Sequence, residues 1–283
     1  MKLVDVFKRK MSNNGFVWPY LIAEAGVNHE GNLDTAKRLV VEAAEAGANG
    51  IKFQSYKASS LASKFSPSYW DLSEEPTDSQ YKLFQKYDKF WKSEYEILKE
   101  ICDKESIEFL STPFDIESAK FLNDLQDVFK ISSSDITNKP FIEHIIKYGK
   151  PVILSTGASS TYEIQEAVEW IEEKDIPIAL LHCVLSYPTK DIDANLAMIR
   201  DLQVRFPENI IGYSDHTLPN DMKVLELATL VGATILEKHF THDKTLKGND
   251  HYHSMDKEDI QIFMQRLEKT FSLLGAKKKK PIE

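Results

Sequence analysis

The sequence predicts an α/β fold, a (β/α)8 TIM barrel with an N-terminal hairpin. Short apolar runs alternate with amphipathic stretches through nearly the whole chain, and eight such strand–helix pairs can be recognised. Alternation alone would also allow an open doubly wound sheet, but eight pairs of similar length favour closure into a barrel. The 283 residues suffice for one such barrel, which takes roughly 250.

The predicted strands are apolar runs of the kind that parallel strands form when both faces are buried. They are Tyr20–Ala25, Gly50–Tyr56, Glu108–Ser111, Val128–Ser132, Val152–Ser155, Ala179–Cys183, Ile210–Tyr213 and Thr234–Glu237. The predicted helices are Leu33–Ala46, Glu94–Lys104, Ile116–Leu125, Lys139–Tyr148, Tyr162–Lys174, Asn195–Arg205, Asp221–Val231 and Lys257–Leu274. Asp115 before one helix and Gly47 after another are typical helix caps. Residues 20–275 are therefore expected to form the barrel.

Three segments fall outside this pattern. Residues 1–19 are expected to form a hairpin around Asn13-Asn14-Gly15 that plugs the N-terminal mouth of the barrel. The long connection from Lys57 to Lys92 is rich in aromatic residues, which suits a lid or binding loop and equally a packed insertion or a subunit contact. Residues 276–283 are expected to form a basic tail at the start of a linker.

Composition narrows the class of protein. Apolar residues make up 42% and charged residues 28%, as in ordinary globular domains. No apolar run approaches the ~20 residues that span a bilayer, and the N-terminus lacks the apolar core of a secretory signal. The two cysteines suggest no disulfide framework, and the net charge of −9 argues against nucleic acid as a partner. We therefore expect a cytoplasmic protein that binds neither nucleic acid nor membrane.

Polar residues cluster at the C-terminal ends of the predicted strands, where TIM-barrel enzymes carry their active sites. Packing does not require charged groups or hydroxyls there, and a buried charge is costly unless it is paired. The members of this ring are Glu24, Lys52, Gln54, Thr112, Lys130, Ser133, Asp135, Ser155, Tyr187 and Ser214. The ring predicts an active site. Its two lysines and its hydroxyls are the groups that hold a phosphate or carboxylate, unless each lysine merely pairs with Glu24 or Asp135.

His216 and His239 end the last two predicted strands and are candidate metal ligands. Two neutral imidazoles at one rim of a sheet form half of a transition-metal site, although each could instead be satisfied by backbone hydrogen bonds. Glu237, Asp250, a substrate oxygen or water could complete the set of ligands. Oxygen and imidazole ligands suit Mn²⁺, Fe²⁺, Co²⁺ or Zn²⁺, and an open site suits activation of a substrate carbonyl.

Nine segments of the chain resemble the N-acetylneuraminate (sialic acid) synthase family, and they occur in family order from about residue 20 to 255. They are Ile22-Ala23-Glu24-Ala25-Gly26-Val27-Asn28-His29-Glu30-Gly31, Lys52-Phe53-Gln54, Ser111-Thr112-Pro113-Phe114, Lys130-Ile131-Ser132-Ser133-Ser134-Asp135, Leu154-Ser155-Thr156-Gly157, Leu181-His182-Cys183, Tyr187-Pro188-Thr189, Gly212-Tyr213-Ser214-Asp215-His216-Thr217 and Leu236-Glu237-Lys238-His239-Phe240-Thr241. The resemblance implies a barrel enzyme that condenses phosphoenolpyruvate with an open-chain N-acetylated hexosamine, giving a nine-carbon 2-keto acid and phosphate.

The resemblance also implies roles for individual residues. His216 and His239 would hold a divalent metal, usually Mn²⁺ with Mg²⁺ or Co²⁺ possible, that polarises the sugar aldehyde. The expected phosphoenolpyruvate ligands are Lys52, Lys130, Ser133, Ser155 and Ser214. The residues expected at the sugar or elsewhere in the substrate pocket are Gln54, Thr112, Tyr187 and Asp250. Glu24 and Asp135 are candidates for proton transfer or for positioning water.

The chain departs from the family at three points. Asp135 replaces a longer glutamate, and Leu185 stands where some members have an asparagine. The resemblance covers the catalytic barrel but not the antifreeze-like domain, which in the family lends an arginine to the sugar site of the partner in a homodimer. An octulosonate-type synthase that uses a pentose phosphate remains an alternative, although Lys238 and Arg200 are the only spare cations for its extra phosphate. A sugar-binding protein that has lost catalysis is the other alternative.

Overall fold

The computed structural model describes residues 1–8, 17–68, 70, 72–73, 75–248 and 250–275. Eight parallel strands alternate with helices around a nearly closed barrel, which confirms the predicted fold. The strands are β1 (Tyr20–Gly26), β2 (Gly50–Ser55), β3 (Glu108–Pro113), β4 (Phe129–Ile131), β5 (Val152–Ser155), β6 (Ile178–Cys183), β7 (Ile210–Asp215) and β8 (Ile235–His239). All eight are buried over most of their length, as expected for parallel strands covered on both faces.

The helices surround the sheet, and the main hydrophobic core lies between the two layers. They are α1 (Leu3–Lys8), α2 (Leu33–Ala46), α3 (Ala58–Leu61), α4 (Gln80–Tyr87), α5 (Lys92–Lys104), α6 (Ile116–Leu122), α7 (Lys139–Ile146), α8 (Thr161–Glu172), α9 (Met198–Arg205), α10 (Lys223–Leu230) and α11 (Lys257–Leu274). Local sequence fixes several ends. Asn32 accepts hydrogen bonds from the first free N–H groups of α2, and Gly47 ends that helix with a φ of 98°, which favours glycine.

No helix in the described part of the chain is long and apolar enough to cross a membrane.

The sheet has a seam between β3 and β4. Hydrogen-bonded ladders join the strands in the order β3-β2-β1-β8-β7-β6-β5-β4, so the described residues of β3 and β4 lie side by side without a ladder. The side chain of Gln126 crosses this seam and accepts a hydrogen bond from the backbone N–H of Ser111 at 2.7 Å. Lys150 in turn donates to the carbonyl of Gln126 at 2.7 Å. Side chains thus replace part of the missing backbone pairing.

Leu3–Lys8 of the N-terminal segment form a helix, so the hairpin predicted for residues 1–19 is wrong over this part. Leu3 and Val6 of α1 are buried against inward-facing residues of the barrel strands. The backbone N–H of Leu3 donates to Glu108, the first residue of β3, at 2.7 Å, which places α1 at the N-terminal mouth. Apolar residues at positions 3, 6 and 7 have helical spacing, and the turn signal of Asn13-Asn14-Gly15 lies outside the described residues.

The long connection after β2 packs over the C-terminal end of the barrel. Its α3 and α4 are tied down by Lys57, whose ammonium donates to the carbonyl of Asp88 at 2.6 Å, and by the Asp88 carboxylate, which accepts from the N–H of Ala58 at 2.9 Å. Leu83 and Tyr87 of α4 are buried. The connection is therefore a packed insertion with one face toward the strand ends. The predicted basic tail lies outside the described residues.

Candidate active site

A small polar cavity of about 60 Å³ lies at the C-terminal ends of the strands. It brings together all the residues that the sequence predicted for the site except Asp135 and Asp250. Those lining it are Glu24, Lys52, Gln54, Thr112, Lys130, Ser133, Ser155, Tyr187, Ser214, His216 and His239. They come from strands or strand ends all round the barrel, because parallel strands deliver every C-terminal end to the same face.

Two buried ammonium groups share this cavity with two carboxylates. Lys52 forms an ion pair with Glu24 and donates a hydrogen bond to the Thr112 hydroxyl at 3.0 Å. The Glu237 carboxylate lies between the lysines, 3.7 Å from the Lys52 ammonium and 3.8 Å from that of Lys130. The pairing with Glu24 that the sequence left open is thus present. Glu24 and Glu237 together balance the charge of the two buried lysines.

The electrostatic surroundings separate the two carboxyl groups. Burial raises the pKa of Glu24 to about 7, against the opposing effect of Lys52 and with added repulsion from Glu237. Burial would raise the pKa of Glu237, but the positive charges of Lys130 and Lys52 outweigh this effect and hold the pKa of that carboxyl below its usual value. Burial lowers the pKa of Lys130. Glu24 is therefore the group that can exchange a proton near neutral pH.

Hydroxyl groups surround the two cations. Ser214 donates to Glu237 at 3.1 Å, while the buried Ser155 hydroxyl has no hydrogen-bond partner within the described part of the chain. Gly157 leaves room beside them, since a Cβ there would lie 2.6 Å from the Cys183 sulfur and 3.0 Å from the Ser133 hydroxyl. Buried cations beside a buried donor that lacks a partner form an arrangement suited to an anion.

The two predicted metal ligands lie next to each other, with the ring centroids of His216 and His239 5.5 Å apart. Nδ1 of His216 donates to the carbonyl of Val184 at 2.8 Å, which leaves Nε2 for a ligand. Nδ1 of His239 is buried and lies 3.7 Å from the Asp250 carboxylate. Burial lowers the pKa of His216 to about 4 and that of His239 well below its usual value. Both rings are therefore neutral, the form that binds a metal, so the residues fit a divalent ion.

A second, larger cavity of about 590 Å³ opens from the first. Gln54, Tyr187 and His239 line both cavities, and Asp250 lines the larger one. Its apolar wall is formed by Val27, Tyr56, Leu61, Leu83, Phe84, Tyr87, Phe114 and Leu185. The described residues that line this cavity include no lysine or arginine. This wall belongs in part to the insertion after β2, whose contribution the sequence left undecided.

Several residues lie elsewhere than the sequence suggested. Asp135 ends a short 3₁₀ turn, accepts a hydrogen bond from the Asn138 amide at 3.1 Å and lines neither cavity. Lys238, considered a spare cation, is buried and paired with Asp215 at 2.7 Å. His253, a buried histidine 3.5 Å from the Asp250 carboxylate, was not singled out. Its position two residues after another histidine was the only available signal.

Comparisons with known proteins find a matching family model, curated relatives and solved structures of the same fold. The model of the NeuB family matches residues 39–279. An uncharacterized protein of Methanocaldococcus jannaschii is 42% identical over 93% of this chain and 74% of its own length. The N,N'-diacetyllegionaminic acid synthase of Legionella pneumophila is 37% identical over 93% of this chain and 75% of its own. The structure of N-acetylneuraminic acid (sialic acid) synthetase from Leptospira borgpetersenii superposes with a TM-score of 0.84 at 36% identity, covering 97% of this chain and 92% of that one.

Proposed function

The chain belongs to the NeuB family of synthases, and from that premise we propose that it joins phosphoenolpyruvate to an N-acetylated hexosamine. The observation that carries this proposal is the shared cavity of Lys52, Lys130, His216 and His239. Two buried cations suit the phosphate and carboxylate of phosphoenolpyruvate. Two neutral imidazoles beside them suit a metal at the sugar aldehyde.

The proposed reaction forms a bond between C3 of phosphoenolpyruvate and the aldehyde carbon of the open-chain sugar. The aldehyde oxygen takes up a proton and becomes a hydroxyl group. C2 becomes cationic and accepts the oxygen of a water molecule, which loses a proton. The new C2 hydroxyl then loses its proton and becomes the keto oxygen as the C–O bond to phosphate breaks, and the phosphate leaves with the bonding electrons and takes up one proton. The products are inorganic phosphate and a nine-carbon 2-keto acid, so every atom of the two substrates and the water is accounted for.

Each group of the cavity has a task in this scheme. Lys52 and Lys130 hold the anion. Without substrate, Glu24 and Glu237 offset the free-energy cost of burying the two positive charges. Glu24, whose pKa burial raises to about 7, receives the proton from the attacking water. A divalent metal such as Mn²⁺, held by His216 and His239, would supply Lewis acidity at the aldehyde.

The larger cavity supports a choice among sugars. A phosphorylated sugar needs a cation to bind its phosphate, yet the described residues that line this cavity include two carboxyl groups, Glu30 and Asp250, and no lysine or arginine. The apolar wall that includes Leu83 and Phe84 suits methyl groups. We therefore favour an unphosphorylated sugar with more than one apolar substituent, a 2,4-diacetamido hexose, over N-acetylmannosamine. The same lack of cations ranks the octulosonate alternative lower.

Phosphate release from phosphoenolpyruvate tests the reaction. Metal-loaded protein is incubated with Mn²⁺, phosphoenolpyruvate and one aldose at a time, and the product acid is identified by mass spectrometry. We expect release only with N-acetylated hexosamines. Folded, metal-loaded protein that turns over none of the aldoses would overturn the proposal and favour the sugar-binding alternative. Turnover of a pentose phosphate alone would favour the octulosonate reaction.

A change in the apolar wall tests the choice of sugar. Leu83→Asn places an amide on α4 where the proposed acetamido methyl lies, at a position that lines the larger cavity but not the small one with the two lysines. We expect kcat/KM for a 2,4-diacetamido hexose to fall about 10-fold, the effect of losing one or two methyl contacts, with little change for N-acetylmannosamine. Leu218→Asn, on an exposed side chain outside both cavities, is the control. Equal losses for both sugars would contradict the assignment.

The cytoplasmic location and the homodimer stay predictions.

A further inference from the structure

His253 is a buried side chain whose hydrogen bonds the proposed reaction does not explain. It is fully buried, and neither ring nitrogen has a hydrogen-bond partner within the described part of the chain. A buried polar group without a partner costs about 1–3 kcal/mol, so such a group needs an explanation. Its Nε2 lies 3.5 Å from Oδ1 of Asp250, slightly beyond a good hydrogen bond.

The same carboxylate faces a second imidazole. Oδ2 of Asp250 lies 3.7 Å from Nδ1 of His239, which is also buried without a hydrogen-bond partner among the described residues. The two carboxylate oxygens of Asp250 thus face one nitrogen each, on His239 and on His253. A small closure of both gaps would convert them into two hydrogen bonds to one carboxylate.

His239 also has to present a particular nitrogen to a metal. His216, the neighbouring candidate ligand, uses its Nδ1 to donate to a backbone carbonyl and keeps Nε2 for the cavity. His239 has a comparable arrangement, since its Nδ1 lies 3.7 Å from the Asp250 carboxylate while the residue lines both cavities. A carboxylate that accepts from the inner nitrogen of a metal-binding histidine fixes its tautomer and its ring orientation.

We propose that Asp250 and His253 are positioning residues that hold His239 in the orientation and tautomer needed to bind the metal. His253 donates to one oxygen of Asp250, and the other oxygen accepts from Nδ1 of His239. His253 lines neither cavity, so it acts through Asp250 and not by contact with substrate. The inference rests on the proposed function, because it requires a metal at His239.

Metal affinity tests the inference without reference to turnover. Mn²⁺ is titrated into metal-free protein, and free Mn²⁺ is followed by electron paramagnetic resonance. His253→Leu keeps a side chain of similar shape but loses the donor, and we expect the Kd for Mn²⁺ to rise about 10- to 100-fold, as for other partners of metal-bound histidines. His253→Gln places an amide N–H near the position of Nε2, and we expect it to restore much of the affinity. His144→Leu, on α7 away from the site, is the control for loss of an imidazole.

The outcomes separate this inference from the proposed function. A Kd for His253→Leu within twofold of wild type would overturn the inference alone. Electron spin-echo measurements on the Mn²⁺ complex should detect two coordinated imidazole nitrogens. A third coordinated nitrogen that disappears in His253→Leu would make His253 a metal ligand and refute a positioning role. Wild-type protein that binds no Mn²⁺, or His216→Ala protein that binds it fully, would instead remove the metal site from the proposed function.

Discussion

Glu237 balances two buried lysines, so its removal should destabilise the protein measurably. In Glu237→Gln the shape is kept but the negative charge is lost, and Lys130 is left without the carboxylate that lies 3.8 Å away. At that distance and an effective dielectric constant of about 20, one pair of unit charges is worth about 4 kcal/mol. This agrees with the ~3–5 kcal/mol typical of breaking a buried ion pair, so we expect a loss of that size.

The assay is equilibrium unfolding in urea at neutral pH, followed by tryptophan fluorescence and circular dichroism. The matched control is Glu42→Gln, which removes an exposed pair with Arg38 and should cost less than about 1 kcal/mol. Burial already lowers the pKa of Lys130. In the variant, the pKa of Lys130 is lower in the folded protein than in the unfolded chain. Between these two pKa values the unfolded chain binds more protons, so the free energy of unfolding of the variant rises with pH. The loss of stability relative to wild type should therefore shrink as pH rises. A loss below about 1 kcal/mol at neutral pH would refute the charge-balancing role.

Three further changes test other parts of the structure. Lys130→Ala should raise the KM for phosphoenolpyruvate roughly 10- to 100-fold, because one charged hydrogen bond is lost, and should leave the KM for the sugar nearly unchanged. Steady-state kinetics that show equal changes in both KM values would remove the lysine from the anion site. For wild type, kcat/KM should rise as pH passes through about 7, where Glu24 loses its proton. Glu24→Gln should abolish this rise with pH, and a rise that persists in the variant would belong to another group. Leu3→Ala should cost about 2–5 kcal/mol in urea unfolding because the side chain is fully buried in the barrel mouth, whereas a neutral result would contradict that packing.

The barrel could be predicted because its strands and helices carry strong local signals. The predicted α2 and α11 agree with the structure at both ends, since Asn32 and Asp256 cap their starts and apolar periodicity persists to their last turns. The N-terminal hairpin was predicted wrongly because α1 is only six residues long, too short for periodicity to outweigh a nearby turn signal. Short helices depend on tertiary packing, which a local pattern does not report.

The candidate site could be predicted in its membership but not in its internal contacts. The fold rule places strand ends together, and that rule alone gathered Lys52, Lys130, His216 and His239. It could not tell that Glu237 lies between the lysines, because which way a side chain points depends on strand tilt and register. His253 was missed for the same reason, since it follows a loop whose path the sequence does not specify. No local sequence signal indicated that Asp135 turns toward Asn138.

An anion bound in the small cavity would bridge the seam between β3 and β4. Thr112 lies on the β3 side of this break and Lys130 on the β4 side, and both line the small cavity. A phosphoenolpyruvate molecule held by both would bridge the one junction in the described sheet that lacks a backbone ladder. Ligand and protein together would then complete the ring, and the slowing of amide hydrogen exchange on binding should be largest for Leu110 and Ser111 at this junction.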